Sequence, residues 1–267
     1  MAFSDQPIFF QAALKYAIML KNGNGVPINK EESARYFKMA SDQYDYIATC
    51  SYDKLLFNWE GVSTNKEEAV RLFKMAADEG IDEGKFYYAC ELMDGQGIDA
   101  NPSEAMRILK QAADNGHSRS KFKYGMEFSM GKMVQANKVE GARYLKMAAD
   151  EGIPESMAFY ASILRDGEGI PTNKEEAARY YKMSADNGQV FAIHNYAFML
   201  FNGEGVPKNK EEGIKYLKMA VDKGHLQSIY EYGCLFYRGD GFPADKEKVA
   251  YYLKLAADNI WLWLYAA

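Results

Sequence analysis

From Asn29 to the end of the chain, one pattern of polar and apolar positions returns every 36 residues. The segments NKEESARYFKMASD, NKEEAVRLFKMAAD, NPSEAMRILKQAAD, NKVEGARYLKMAAD, NKEEAARYYKMSAD, NKEEGIKYLKMAVD and DKEKVAYYLKLAAD begin at Asn29, Asn65, Asn101, Asn137, Asn173, Asn209 and Asp245, with no insertion between copies. Such regular self-similarity is the mark of a repeat architecture. Each segment predicts a helix. Its opening Asn or Asp is a good N-cap, and Glu32, Glu68, Glu104, Glu140, Glu176 and Glu212, three residues further on, predict a capping box. Glu31/Arg35, Glu67/Arg71, Glu175/Arg179 and Glu211/Lys215 are acid-then-base pairs at i, i+4, and every copy adds a Lys followed four residues later by Asp, as in Lys218/Asp222. Pairs of this kind are worth tenths of a kcal/mol. Gly80, Gly116, Gly152, Gly188 and Gly224 stand where a C′ glycine ends the helix.

Another helix follows in each unit, as in 154–169 and 189–205, with apolar residues such as Ala192, Tyr196, Met199 and Leu200 at three- and four-residue spacing. Small residues hold two columns. One runs through Ala89, Gly125, Ala161, Ala197 and Gly233, the other through Ala40, Ala76, Ala112, Ala148, Ser184, Ala220 and Ala256. Small side chains at fixed positions let helices approach closely, and a bulkier residue there costs about 1–3 kcal/mol through overpacking. One such hairpin cannot bury its apolar face alone, so the units are expected to stack.

The order Ala-x3-Tyr-Ala/Gly, then Gly-x-Gly-Ile/Val, then Asn, Ala, an aromatic or Leu, Ala and Gly resembles the Sel1-like repeat, a relative of the tetratricopeptide repeat. Ala192, Tyr196, Ala197, Gly203, Gly205, Val206, Asn209, Tyr216, Ala220 and Gly224 carry it in one copy, and the likeness covers about residues 9–259. Departures are the usual Trp replaced by Tyr, Leu or Ile, Tyr44 and Trp59 where glycines are expected, and Met133 at a loop-glycine position. The resemblance implies an all-α fold, a right-handed α-solenoid (α-α superhelix) of 36-residue helix-turn-helix units. On this plan residues 1–8 form a short lead and 9–267 a single solenoid with a partial helix at each end. In each unit the helix ahead of the Gly-x-Gly loop is helix A, and the Asn-capped helix is helix B.

Composition narrows the function. A charged share of 26% fits a folded chain, and a net charge of -5 gives no basic surface to neutralise phosphates, so nucleic acid is not an expected partner. No apolar run approaches the roughly 20 residues a membrane span needs. The opening MAFSDQPIFF lacks the pattern of a signal peptide. Cys50, Cys90 and Cys234 are too few for a disulfide scaffold. A reducing, cytoplasmic interior is expected if the chain is full length.

Several motifs invite a chemical reading and fail it. The Gly-x-Gly pairs follow helices rather than strands and recur with the repeat, so they are turns and not phosphate cradles. Ser51-Tyr-Asp-Lys54 and Ser118-Arg-Ser-Lys121 match the nucleophile motif of penicillin-recognising enzymes, but no Lys-Thr-Gly partner exists. His117 and His225 share one column three repeats apart, and His194 stands alone on its helix. With no zinc-type cysteine spacing, neither a metal site nor any cofactor is expected. No catalytic residue is assigned.

A specific function is expected where the copies differ. The resemblance implies that helix A lines the concave side of the superhelix. Its variable columns hold Phe57, Phe86, Met93, Phe122, Met126 and Arg165. They continue through Phe191, His194, Phe198, Phe201, Tyr230, Tyr237 and Arg238. Half-exposed aromatics in these numbers would show on the order of 800 Å². The alternative is that neighbouring helices cover these rings as core. The groove reading makes the protein a non-enzymatic scaffold or adaptor that holds a peptide or helix of a partner protein on its concave face. Two other readings stand beside it: a regulatory or localisation segment of a larger, possibly catalytic protein, and a β-lactam-hydrolase-like member of the family. Near the C-terminus, Trp261 and Trp263 are an apolar cap or a dimer contact.

Overall fold

The structure is a computed structural model that describes the backbone of residues 6–41, 66–132, 135–239 and 241–265. Among these residues there are 13 α-helices and no strand. They are α1 (Gln6–Asn22), α2 (Lys30–Ser41), α3 (Lys66–Asp78), α4 (Asp82–Asp94), α5 (Pro102–Asp114), α6 (Ser118–Met130) and α7 (Lys138–Asp150). They continue as α8 (Pro154–Asp166), α9 (Lys174–Asp186), α10 (Val190–Asn202), α11 (Lys210–Asp222), α12 (Leu226–Arg238) and α13 (Lys246–Tyr265). Helices α1, α4, α6, α8, α10 and α12 are A helices, and the others are B helices. The expected irregularities at Tyr44, Trp59 and Met133 lie outside the described residues.

The chain divides into two compact units, Met1–Tyr124 with Lys132–Gln135 and Gly125–Gly131 with Ala136–Ala267. Packing follows chain order within each. In the first, α1 packs on α2 and α4 lies against both α3 and α5; in the second, each helix from α7 to α13 packs on the next.

Five of the B helices begin at expected Asn caps among the described residues. The side-chain oxygen of Asn29, Asn101, Asn137, Asn173 or Asn209 accepts the backbone N–H of the Glu three residues on, at 3.0–3.1 Å. Asp245 caps α13 in the same way, at 3.0 Å. The expected capping box is corrected in detail. Each Asn N–H is already donated to a carbonyl near the end of the preceding A helix, as from Asn173 to Leu164 at 2.8 Å and from Asn209 to Leu200 at 2.9 Å. The Glu32, Glu176 and Glu212 carboxylates therefore accept from the Asn side-chain amides instead. Asparagine suits the site because one side chain supplies both the acceptor and the donor. The i, i+4 expectation holds for Arg35 with Glu31, at 2.8 Å. Arg179 instead reaches Glu176, three residues back, at 3.6 Å; Arg107 and Arg143, with Ser103 and Val139 four residues back, pair likewise with Glu104 and Glu140.

Two glycine turns join the helices, for different reasons. At the ends of α3, α5, α7, α9 and α11 a C′ glycine at positive φ closes a Schellman motif. Gly224 (φ 78°) donates to Val221, and His225 donates back to Ala220 at 3.0 Å. A Cβ on Gly224 would meet nothing within 4 Å, so backbone conformation alone selects glycine there. Gly205 (φ 68°), second glycine of the loop after α10, is different. A Cβ there would lie 2.0 Å from the Lys174 carbonyl oxygen, because the loop rests on the first turn of the previous unit's B helix. The contact recurs, with Gly97 against Lys66 and Gly169 against Lys138. Lys138 and Lys174 clip the same joints by pairing with Glu168 and Glu204 at 3.2 Å.

Between the helices, Ala76, Ala112, Ala148, Ser184 and Ala220 are fully buried, as the small column requires. Tyrosines fill the remaining width. Tyr16 and Tyr36, Tyr160 and Tyr180, Tyr196 and Tyr216, and Tyr232 and Tyr252 each meet edge to face with centroids 4.8–5.1 Å apart. Such a pair is worth about 0.5–1.5 kcal/mol beyond its buried area. The Lys-Asp pairs of the B helices form as expected, for example Lys146–Asp150 at 2.6 Å. Asp150 also accepts the Tyr180 hydroxyl of the next repeat, and Asp186 accepts that of Tyr216 at 3.2 Å. An apparent surface pair is thus half of a joint between repeats.

Two substitutions separate the glycine roles. Gly224→Ala is expected to cost about 1 kcal/mol, the penalty of left-handed backbone alone. Gly205→Ala should cost at least about 2 kcal/mol more from the clash with Lys174, measured by urea unfolding of both variants.

Candidate functional site

The variable A-helix columns behave differently in the two units. In the first, the expected open wall is corrected at two positions. Phe86 and Met93 on α4 are only 8% and 3% exposed. The Arg119 guanidinium lies 4.4 Å over the Phe86 ring, and His117 packs against the ring edge at 5.6 Å. Glu83 binds both covering residues, His117 at 2.9 Å and Arg119 at 3.2 Å, while the Tyr87 hydroxyl accepts from Arg119 at 2.6 Å. Phe86 is therefore sealed beneath a polar lattice contributed by the next repeat. Phe122 is half-buried. Phe57 lies outside the described residues, as does the Ser51/Lys54 motif.

In the second unit the A helices keep apolar surface in solvent. Phe191, Tyr230 and Tyr237 are 46%, 48% and 76% exposed, and Arg238 is exposed. Met126, Arg165, His194, Phe198 and Phe201 are half-buried. Phe198 and Phe201 meet edge to face at 5.8 Å and pack against the core around Leu217, Tyr232 and Leu235. With Lys208, Glu231 and Arg238 they line a cleft of about 300 Å³ between α10 and α12. A smaller cleft of about 160 Å³ lies between α6 and α8, lined by Met126, Met130, Leu145, Phe159 and Ile163. Its wall residues sit 72 positions, or two repeats, before those of the larger cleft. In the intervening repeat the equivalent place is filled by Arg165, which donates to Asn195 at 2.7 Å and to Asp166 at 2.8 Å.

The polar clusters have recognisable chemistry but the wrong exposure for it. Ser120, His117 and Glu83 form a line of hydrogen bonds at 2.8 and 2.9 Å, the order of a serine–histidine–acid triad. The Ser120 side chain is fully buried, so no substrate reaches it. Ser228, equally buried, lies 2.9 Å from His194 Nδ1 and 2.8 Å from His225 Nδ1. His225 Nδ1 also accepts the Ser228 backbone N–H at 3.3 Å, so that nitrogen carries no proton. Burial, then the neighbouring His225 and Arg165, lower the His194 pKa to about 4. Burial likewise lowers that of His225. Both rings are neutral joint residues at physiological pH. Burial pushes the Cys90 thiol up to about 11, far from a reactive thiolate. Lys121, of the Ser118/Lys121 motif, is buried on α6. Among the described residues no group of three or more His, Cys, Asp or Glu is placed to hold a metal ion.

The repeat motif now has its geometry: paired helices, a Gly-x-Gly loop seated on the previous unit, and an Asn cap tied to the preceding helix. The family model of the Sel1 repeat matches residues 10–45, 56–81, 83–117, 118–153, 154–189, 190–225 and 226–259. The chain belongs to the Sel1 repeat family. Repeats of this family generally mediate protein–protein interaction and are typically non-catalytic. A Sel1 repeat protein from Oxalobacter formigenes has a similar structure, with a TM-score of 0.82 and 19% identity over 92% of this chain and 99% of that one. So does a protective antigen present in uropathogenic Escherichia coli, with a TM-score of 0.79, 20% identity and 96% of this chain covered. This chain spans 55% of the length of that antigen. An immunity protein from Pseudomonas aeruginosa is more distant, with a TM-score of 0.56 and 16% identity over 80% of this chain and 81% of its own. These likenesses establish the all-α repeat fold. No curated protein sequence matched. No described helix is long and apolar enough to cross a membrane.

Lys208 and Glu231 are cleft residues that the Sel1 columns alone did not single out. A signal for Lys208 was present, since none of its counterparts, Ile28, Thr64, Ala100, Ala136, Thr172 and Ala244, is charged. Trp261 and Trp263 fall within α13, and their side chains lie outside the described residues.

Phe86→Ala is expected to cost about 3–5 kcal/mol, as for an emptied core site, whereas Tyr237→Ala should stay within about 0.5 kcal/mol of wild type, both from denaturant titrations. Because folding lowers the His194 pKa, its stabilising effect is complete above the unfolded value of 6.5 and is lost as pH falls toward 4. A loss of roughly 1–2 kcal/mol across that window is expected after solvent screening. His194→Phe should flatten that part of the profile in urea midpoints measured from pH 7 to about 4.

Proposed function

We propose that this protein is a non-enzymatic adaptor, and that the A-helix face of its second unit, the side expected to be concave, holds a peptide or helix of a partner protein. One observation carries the reading. Phe191, Tyr230 and Tyr237 stand in solvent beside a cleft walled by Phe198 and Phe201, at columns that change from copy to copy. Aromatic side chains left in water do not stabilise a repeat array, but they are the usual anchors of a docked partner. The constant columns already account for folding through caps, glycine turns and tyrosine pairs. A non-catalytic role is supported by the sealed hydroxyls of Ser120 and Ser228 and by the raised pKa of Cys90. Cys90 and Cys234 are free thiols, which fits a reducing, cytoplasmic compartment.

The combined variant Phe191→Ala/Tyr230→Ala/Tyr237→Ala tests the reading, with Met147→Ala/Met183→Ala, exposed on the B helices, as control. Proteins captured from the native source by wild type and control should be lost with the first variant, while all three proteins melt alike. Retention of the same set by the aromatic variant would overturn the assignment of this face.

A further inference from the structure

We infer that the docked segment carries an apolar or aromatic side chain flanked by a carboxylate, seated in the cleft between α10 and α12, and a second, purely apolar anchor in the cleft between α6 and α8. This rests on the docking role proposed above and specifies the chemistry of what docks. The floor of the larger cleft is apolar, built from Phe198, Phe201, Leu217 and Leu235. Its rim is cationic. Lys208 and Arg238 are both exposed, and neither forms an ion pair with a described residue. The lysines that open the B helices are committed instead, as Lys138 is to Glu168 and Lys174 to Glu204, and Lys210, their counterpart on the cleft wall, is engaged as well. The one carboxylate on the lining, Glu231, is engaged by Gln227 at 3.0 Å.

Both cations are peculiar to this place in the array. The positions equivalent to Arg238 are Asn22, Asn58, Asp94, Met130, Asp166 and Asn202. Those equivalent to Lys208 are Ile28, Thr64, Ala100, Ala136, Thr172 and Ala244. A residue needed for stacking would recur with the repeat, and these do not. Two unpaired cations above an apolar floor match an acid group beside an apolar one, since a charged hydrogen bond made over buried surface is stronger than one in open water.

The smaller cleft differs in character. Met126, Met130, Phe159 and Ile163 line it, and its one charged wall residue, Glu168, is already paired with Lys138. The place between the clefts is filled by Arg165, Asp166 and Asn195, so the segment is gripped at two points rather than along its whole length. Neighbouring packed helices lie about 8–10 Å apart, which puts the clefts roughly 16–20 Å from each other. About six extended residues span that distance.

The test uses the intact chain and two fluorescein-labelled peptides. Each has Leu, then roughly six Ser to match the span, then Phe followed either by two Asp or by two Lys. Fluorescence anisotropy is expected to show the acidic peptide binding about tenfold or more tightly than the basic one, with the difference shrinking as salt rises. Lys208→Glu/Arg238→Glu should invert the preference, and Met126→Glu should weaken both peptides alike. Equal affinity for the two peptides, or an acidic preference that survives the double charge reversal, overturns the carboxylate assignment and leaves the docking face intact. Failure of both peptides to bind at millimolar concentration overturns the two-anchor assignment. The docking face itself falls only if partner capture survives loss of Phe191, Tyr230 and Tyr237.

Discussion

A hairpin of 36 residues carries more apolar surface than its own two helices can cover, and the rest of the structure follows from that shortage. Each unit must lend a face to the next, and the joint has to be close. The fully buried column from Ala76 to Ala220 allows that closeness. The edge-to-face tyrosine pairs fill the width that remains. The Gly205 loop resting on Lys174 sets where one unit sits on the one before it. Asp150 and Asp186 finish the joint by accepting a tyrosine hydroxyl from the following repeat.

Once those columns have met the demands of stacking, helix A is free to vary, and the two units use that freedom in opposite ways. In the first, Arg119 and His117 close over Phe86 and are held by Glu83, so variation there has become packing. In the second, the same columns leave Phe191, Tyr230 and Tyr237 in solvent and open two clefts of different polarity. His225 occupies the column of His117 and likewise meets the serine three residues on, yet it faces the neutral His194 instead of a carboxylate. One column therefore makes a charged lattice in one place and a dry aromatic joint in another.

Much of this was legible in the chain. Helix boundaries, cap asparagines, C′ glycines and small columns are local or periodic demands, and a demand repeated in every copy can be read without coordinates. The partner of each cap was less accessible. Glu212 meets the side-chain amide of Asn209 because the Asn209 N–H is donated to Leu200, on another helix. Arg179 chooses Glu176 over Glu175 for a reason no spacing rule contains. Phe86 and Tyr230 share one column of the repeat, yet Phe86 is sealed and Tyr230 stands in solvent, because the next repeat lays Arg119 over Phe86.

By itself the sequence determined the all-α repeat fold, its 36-residue period, its helix ends and the family to which it belongs, because these depend on residues close in the chain or identical between copies. Tertiary structure alone decided which variable side chains are sealed and which stand open. Exposure is set by the neighbour that stacks above, some thirty residues away, and a guanidinium lying 4.4 Å over a ring cannot be inferred from either residue alone.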